Sequence, residues 1–198
     1  MKSYLILILL WLLFYLPHSI LALESIKIRL SNHFPFLKRY YRILYNVQSL
    51  LFFAIAFLYQ RQLNATILFA MPSLIHWLAI AAIVVSFFIM AWSFKHYDKK
   101  EFLGLQQYQN ASFNAVIGST LNSKGLNSYV RHPLYSATIL FLLAYFIYKP
   151  FDTTLIFVLI SMAYLIIGTY LEEAKLSKQF GDVYKQYKQE VPMFIPFI

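Results

Sequence analysis

Apolar residues run almost unbroken over positions 4–23, and again over about 43–59, 74–94, 134–148 and 153–171, with polar and basic residues gathered between the runs. An α-helix rises about 1.5 Å per residue and must cross about 30 Å of hydrocarbon. The pattern therefore predicts an all-α, polytopic membrane protein of about five transmembrane helices. The first run also has features of a signal peptide, with Lys2 as a minimal positive start, but Ile20-Leu21-Ala22 is a poor small-residue cleavage site, so a retained helix is expected. Residues 63–71 are apolar enough to lengthen the third helix before Pro72 kinks or breaks it. Asn46, Gln48 and Ser49 interrupt the second run, and a polar face turned toward neighbouring helices would accommodate them.

The basic residues alternate with these runs. Lys27, Arg29, Lys38, Arg39 and Arg42 fall between the first and second, while Lys95, Lys99, Lys100, Lys124 and Arg131 fall between the third and fourth. Lys175, Lys178, Lys185 and Lys188 follow the fifth, leaving Lys2, Arg61 and Lys149 for the other side. Positive charge collects in cytoplasmic loops. The N-terminus is accordingly expected outside and the C-terminus in the cytoplasm.

Composition agrees with a membrane setting: 60% of the 198 residues are hydrophobic, 19% aromatic and only 13% charged. The formal charge of +9 would interest nucleic acid only if concentrated on a soluble face or recognition helix. Flanking apolar runs as it does, it suits anionic lipid head groups instead. The chain has no cysteine, which removes disulfides, thiolate metal sites and cysteine nucleophiles together. His18, His33, His76 and His96 show no metal-ligand spacing, and no metal is expected.

No repeat or internal boundary interrupts the chain, so residues 1–198 read as a single membrane domain, with N-terminal helices in 1–94 and the remaining chemistry in 95–198. The connection from Lys95 to Arg131 is long for a structureless loop. Within it, "KKEFLGLQQYQNASF" sets Phe102, Leu105, Tyr108 and Phe113 among polar residues, as in a short amphipathic helix lying in the interface, although a solvated loop accounts for it equally.

Candidate chemistry starts at "NSYVRHPLYSATIL" (127–140). Proline is favoured at the first helical position, so Pro133 opens the fourth helix with His132 near its cap and Arg131 just before. Free amides and the positive end of the helix dipole then sit where an anionic carboxylate or phosphate is attracted, and Arg131 adds a planar fork of donors. Alternatively, Arg131 and His132 only anchor the helix in depth. The fourth helix runs outward, turns near Pro150, and the fifth returns to end at Glu172 and Glu173. The two motifs thus meet at one membrane face. An acid pair there opposes the helix dipole and calls for cationic or hydrogen-bonding company, unless it is merely a solvated helix end. A basic group, a helix start and a carboxylate facing one another suit a zwitterionic ligand such as an amino-acid moiety.

Beyond the acids, Tyr184 and Tyr187 stand three apart on one helical face, Gly181 can separate two helices, and Pro192 and Pro196 keep an apolar tail extended so that it packs back over the hairpin. "GLNSYVRHPLYSA" (125–137) followed by "LEEAKLSKQFGDVYKQYKQEVPMFIP" (171–196) resembles the isoprenylcysteine carboxyl methyltransferase family of integral-membrane methyltransferases. Within its bacterial branch the chain is similar to methanethiol S-methyltransferase and the nitrite-reductase-associated membrane protein, with "DKKEFLGLQQ" (98–107) closest to the former. The resemblance covers the C-terminal third; the first two runs carry no part of it.

That resemblance implies an enzyme of the bacterial inner membrane that uses S-adenosylmethionine, wrapped by the last two helices and the tail, to methylate a carboxylate or thiol of a small or lipophilic acceptor. Tyr129, Arg131, His132, Pro133 and Tyr135 match the first motif and Glu172 and Glu173 the acid pair, all as cofactor-binding residues. Arg131 and the helix start would hold the cofactor carboxylate, one of the acids its ammonium, and Tyr129 or Tyr135 its adenosine. Asn127 stands where an aromatic is usual, Ala137 where glycine is common, and no arginine occupies 168–171. An NADPH-dependent membrane reductase of the sterol or steroid type shares a similar C-terminal pattern, but near the acids "LEEAKL" offers mainly Lys175 to a cofactor phosphate. A non-catalytic membrane protein of the same fold is the third possibility.

Overall fold

The computed structural model describes residues 2–95, 100, 103–110 and 121–196. In chain order the helices are α1 (Lys2–Ala22), α2 (Glu24–His33), α3 (Leu37–Gln62), α4 (Ser73–Phe94), α5 (Leu105–Asn110), a 3-10 turn over Gly125–Ser128, α6 (Pro133–Tyr148), α7 (Asp152–Phe180) and α8 (Asp182–Glu190). α1, α3, α4 and α7 are long and apolar enough to cross a membrane, and α6 is a shorter apolar helix. Each of the five expected apolar runs forms a helix, four of them of membrane-spanning length and the fourth, α6, shorter, and the protein is an all-α, polytopic membrane protein. The chain forms two compact units, the first from residues 1–65 and 97–116 and the second from 66–96 and 117–198.

In the first unit α1 packs along α3. Within hydrocarbon a polar side chain needs a protein partner; Ser49 and Gln60 of α3 find theirs on α1, whereas the buried amide atoms of Gln48 meet none among the described residues. The buried Trp11 indole donates to Gln60 Oε1 at 3.0 Å. His18 Nδ1 lies 2.9 Å from Ser49 Oγ, and the Tyr41 hydroxyl donates to Leu21 O at 2.7 Å, satisfying a carbonyl at the end of α1. Of Asn46, Gln48 and Ser49, from which an inward polar face of the second span was expected, Ser49 reaches α1 in this way, and Gln60, beyond the expected span, adds a second contact.

Helix α2 and the extension of α3 back to Leu37 were not expected. In the connection after the third span, a helix forms over Leu105–Asn110; Phe102 and Phe113 lie outside the described residues. Its Gln107 amide enters the α3 ladder, accepting from Arg42 N at 3.1 Å and donating to Lys38 O at 2.9 Å. Gly104 permits this approach: its φ is +82°, and a Cβ there would stand 2.8 Å from Arg42 Cβ.

In the second unit α4 packs along α6 and α6 against α7. Buried Ala79, Ser86 and Ser93 recur every seventh residue of α4, as do Ala137 and Ala144 on α6, and such small residues let membrane helices approach closely. Residues 63–71 do not lengthen α4, which starts at Ser73. They form no helix: Ile67 makes an isolated bridge to Phe151, Leu68 N donates to Pro150 O at 2.8 Å, and Thr66 N donates to Asp152 Oδ1 at 3.1 Å. Pro72 explains the break, since its predecessor is biased out of the helical region.

Helix α7 passes the acid pair and continues to Phe180, two turns beyond the expected end. Its extension contains Ala174, Lys175, Leu176, Lys178 and Gln179, all good helix formers. Gly181, at φ +56° and ψ −126°, ends it and starts α8, as the sequence predicts.

Candidate functional site

The segment before α6 is shaped locally. The 3-10 turn over Gly125–Ser128 brings Asn127 back so that its Nδ2 donates to Arg131 O at 3.0 Å. Pro133 is the first residue of α6, where its missing N–H costs nothing, and Ser136 ties the turn by donating its Oγ to His132 O at 3.0 Å.

The tail then closes on this segment. Arg131 N donates to Pro192 O at 2.8 Å and His132 N to Met193 O at 3.2 Å, so residues 192–193 lie across the start of α6. Tyr187, buried on the inner face of α8, donates its hydroxyl to Asn127 O at 2.6 Å. Tyr184 and Tyr187 share that face as the spacing predicts, their rings 5.9 Å apart beside Val191.

Between these elements sits a charged cluster. Glu173, only 4% exposed in its side chain, receives Arg131 Nε at 2.6 Å on Oε1 and Lys188 Nζ at 2.9 Å on Oε2. His132 Nε2 lies 3.3 Å from the same Oε1. Arg131 is also nearly buried, and its Nη1 donates to the carbonyls of Val191 at 2.5 Å and Lys188 at 3.2 Å. Its Nη2 engages none of the described residues. Glu172 differs from its neighbour: it is 43% exposed, with His132 Nδ1 at 3.9 Å.

The His132 ring stacks on Tyr135, centroids 5.6 Å apart and planes 10° apart, and Phe194 approaches at 6.3 Å. Tyr129 is exposed, whereas Pro133 is buried. Of the residues singled out in the sequence, Arg131, His132, Tyr135, Glu172 and Glu173 converge, and Tyr129 stands at the rim of the segment. Lys188 and Asn127 join them unexpectedly. Lys188 counted in the sequence only as cytoplasmic charge, although its position four residues after Tyr184, hence on the same helical face, was a usable signal.

Burial raises the ionisation of both tyrosines above the ordinary phenol range. For Tyr184 the shift is large, and the nearby charge of Glu173 adds to it. Its hydroxyl is buried without a well-formed hydrogen bond.

The helical spans define an all-α, polytopic membrane protein with an ion cluster gathered under its tail. The chain belongs to the NnrU protein family, whose model matches residues 6–196. It is 40% identical over 75 residues to a methanethiol S-methyltransferase of Pseudomonas sp. strain GM41, covering 37% of this chain and 28% of that protein. Methanethiol S-methyltransferase 2 of Bradyrhizobium diazoefficiens is 28% identical over 198 residues, covering 98% of this chain and 74% of that protein. Protein-S-isoprenylcysteine O-methyltransferase of Schizosaccharomyces pombe is 33% identical over 112 residues, 49% of this chain and 48% of that protein. The chain spans about a quarter to a half of the length of most curated relatives it matches. No solved structure matches it.

Proposed function

We propose that this protein is an integral-membrane methyltransferase that uses S-adenosylmethionine and methylates a thiol or carboxylate of a small or lipophilic acceptor. The observation that carries this reading is the division of labour in the acid pair: Glu173 is sequestered by Arg131, His132 and Lys188, while the half-exposed Glu172 is left to face a ligand. The residues fit a zwitterionic amino-acid group. Glu172 supplies a carboxylate for its ammonium, and the α6 start supplies positive potential for its carboxylate. The names of relatives in two bacteria and a yeast support the same reaction class, and the methanethiol enzymes among them favour a thiol acceptor.

The bound cofactor would supply an electrophilic sulfonium methyl for transfer to an acceptor thiolate or carboxylate, and would itself be left as a neutral thioether. The chain's own contribution is placement. Arg131 fixes Glu173 and the tail carbonyls, which holds the α6 start and α7 in register. His132 bridges the two acids, and Tyr135 braces its ring. Pro133 opens α6 so that the following amides face the ligand, and Tyr129 presents an exposed ring to its adenosine. Holding reacting atoms in near-attack geometry is worth about 7–11 kcal/mol of barrier, so positioning without a general base suffices for a thiolate or carboxylate.

All these residues lie in 95–198, which we assign as the catalytic part of a single membrane domain whose N-terminal helices occupy 1–94. The distribution of basic residues supports a bacterial inner-membrane orientation with the N-terminus outside and the C-terminus cytoplasmic. Purified protein titrated with S-adenosylmethionine and with NADPH tests the cofactor, and a labelled-methyl screen against thiols, prenylcysteines and lipid extracts tests the acceptor. Binding of NADPH alone would replace this reading with a reductase.

A further inference from the structure

The cation that meets the ligand carboxylate follows from how tightly each candidate is held. Arg131 is tied by Nε to Glu173 and by Nη1 to two carbonyls, and its backbone N–H is bound to Pro192 O. Moving it would unlace the tail from the start of α6. Among the described residues Lys188 has one side-chain contact, Glu173 Oε2 at 2.9 Å, and its side chain is 40% exposed. An ammonium carries three donors, and a partly exposed ion pair is cheap to part.

The α8 backbone beneath Lys188 is nevertheless fixed, because Tyr184 and Tyr187 before it and Val191 after it are buried and Lys188 O accepts from Arg131 Nη1. Only the flexible stem needs to swing. Charge also balances: Arg131 and Lys188, both on Glu173, offset the two charges of Glu172 and Glu173, and a zwitterion adds one charge of each sign. If Lys188 turns to the ligand carboxylate, Glu173 keeps Arg131 and His132, and Glu172 gains the ammonium. No charge is stranded.

We propose that Lys188 is the exchangeable cation of this site, passing from Glu173 to the carboxylate of the bound amino-acid moiety while Arg131 stays on Glu173. This rests on the S-adenosylmethionine reading above. The test is calorimetric binding of S-adenosylmethionine and of its decarboxylated analogue, which keeps the sulfonium, ammonium and adenosine, to the full-length wild type, Lys188→Met and Lys188→Arg. The wild type should prefer the carboxylated ligand by on the order of tenfold or more, since a charge-assisted contact of this kind is worth about one decade in affinity. Lys188→Met should bind both equally and Lys188→Arg should restore the preference. A preference that persists in Lys188→Met overturns the proposal and assigns the carboxylate to Arg131 Nη2. An equal loss of both ligands in Lys188→Met also overturns it, by making Lys188 a structural strut. If the wild type binds neither ligand, the cofactor reading itself fails, and this proposal with it.

Discussion

Glu172 and Glu173 are adjacent in sequence and should behave as opposites. Replacing Glu173 by Ala leaves the nearly buried Arg131 guanidinium without its carboxylate. Lys188, 40% exposed, returns to water at little cost, so the penalty falls on Arg131. Removing one partner of a buried ion pair costs about 3–5 kcal/mol. Arg131 keeps the carbonyls of Val191 and Lys188, which argues for the lower end. At about 2–4 °C per kcal/mol for a chain of this size, about 3 kcal/mol is a fall of roughly 10 °C in melting temperature. Glu173→Gln keeps an acceptor for Arg131 Nε but not the charge, and should fall between. Glu172→Gln removes only a 3.9 Å contact from a half-exposed group and should cost under about 1 kcal/mol. Intrinsic fluorescence in nanodiscs reports all three, since the chain has three tryptophans and none of these variants alters one. Equal shifts for Glu172→Gln and Glu173→Gln, or a Glu173→Ala melting point within about 2 °C of wild type, would refute the assignment of Glu173 as the buried anchor.

Three further outcomes are expected. Gly181→Ala should cost about 1–3 kcal/mol in thermal unfolding despite open space around it, because φ +56° with ψ −126° is closed to L side chains; no loss would mean the α7–α8 junction relaxes freely. Burial raises the Tyr184 ionisation above the unfolded value of about 10, so the stability this neutral phenol contributes is fully present below about pH 10 and is lost as pH climbs through the folded-state value. Tyr184→Phe should therefore be nearly neutral at pH 7, its hydroxyl having no good partner, and should flatten the alkaline loss in a pH series of unfolding curves. The absence of cysteine allows single-cysteine labelling in intact cells: a membrane-impermeant maleimide should spare Lys185→Cys and modify Asn64→Cys, and the reverse pattern would invert the proposed topology.

Periodicity and composition determined the spans, because a helix in hydrocarbon must be long and apolar whatever it packs against. They also determined that the Arg131-His132-Pro133 segment and the acid pair share a membrane face, since two crossings return the chain to its starting side. The α6 start at Pro133 and the break at Gly181 were equally legible, each being a local backbone requirement of the residue itself. Helix α2, the run of α7 to Phe180 and the Gln107 insertion into α3 were not legible. These depend on polar segments whose conformation is decided by what they dock against.

The division of the acid pair was half legible. Successive helical residues point about 100° apart, so one acid of two can turn inward while the other faces out. Which one does so depends on where Lys188 and the carbonyls of the tail arrive, and these are set by packing between segments tens of residues apart. The sequence by itself determined that a cation, a helix start and two carboxylates would meet. Only the tertiary structure decided that Arg131 is spent on Glu173 and the tail, leaving Glu172 and Lys188 as the accessible pair, because hydrogen-bond satisfaction in a buried cluster is a property of three-dimensional neighbours rather than of spacing along the chain.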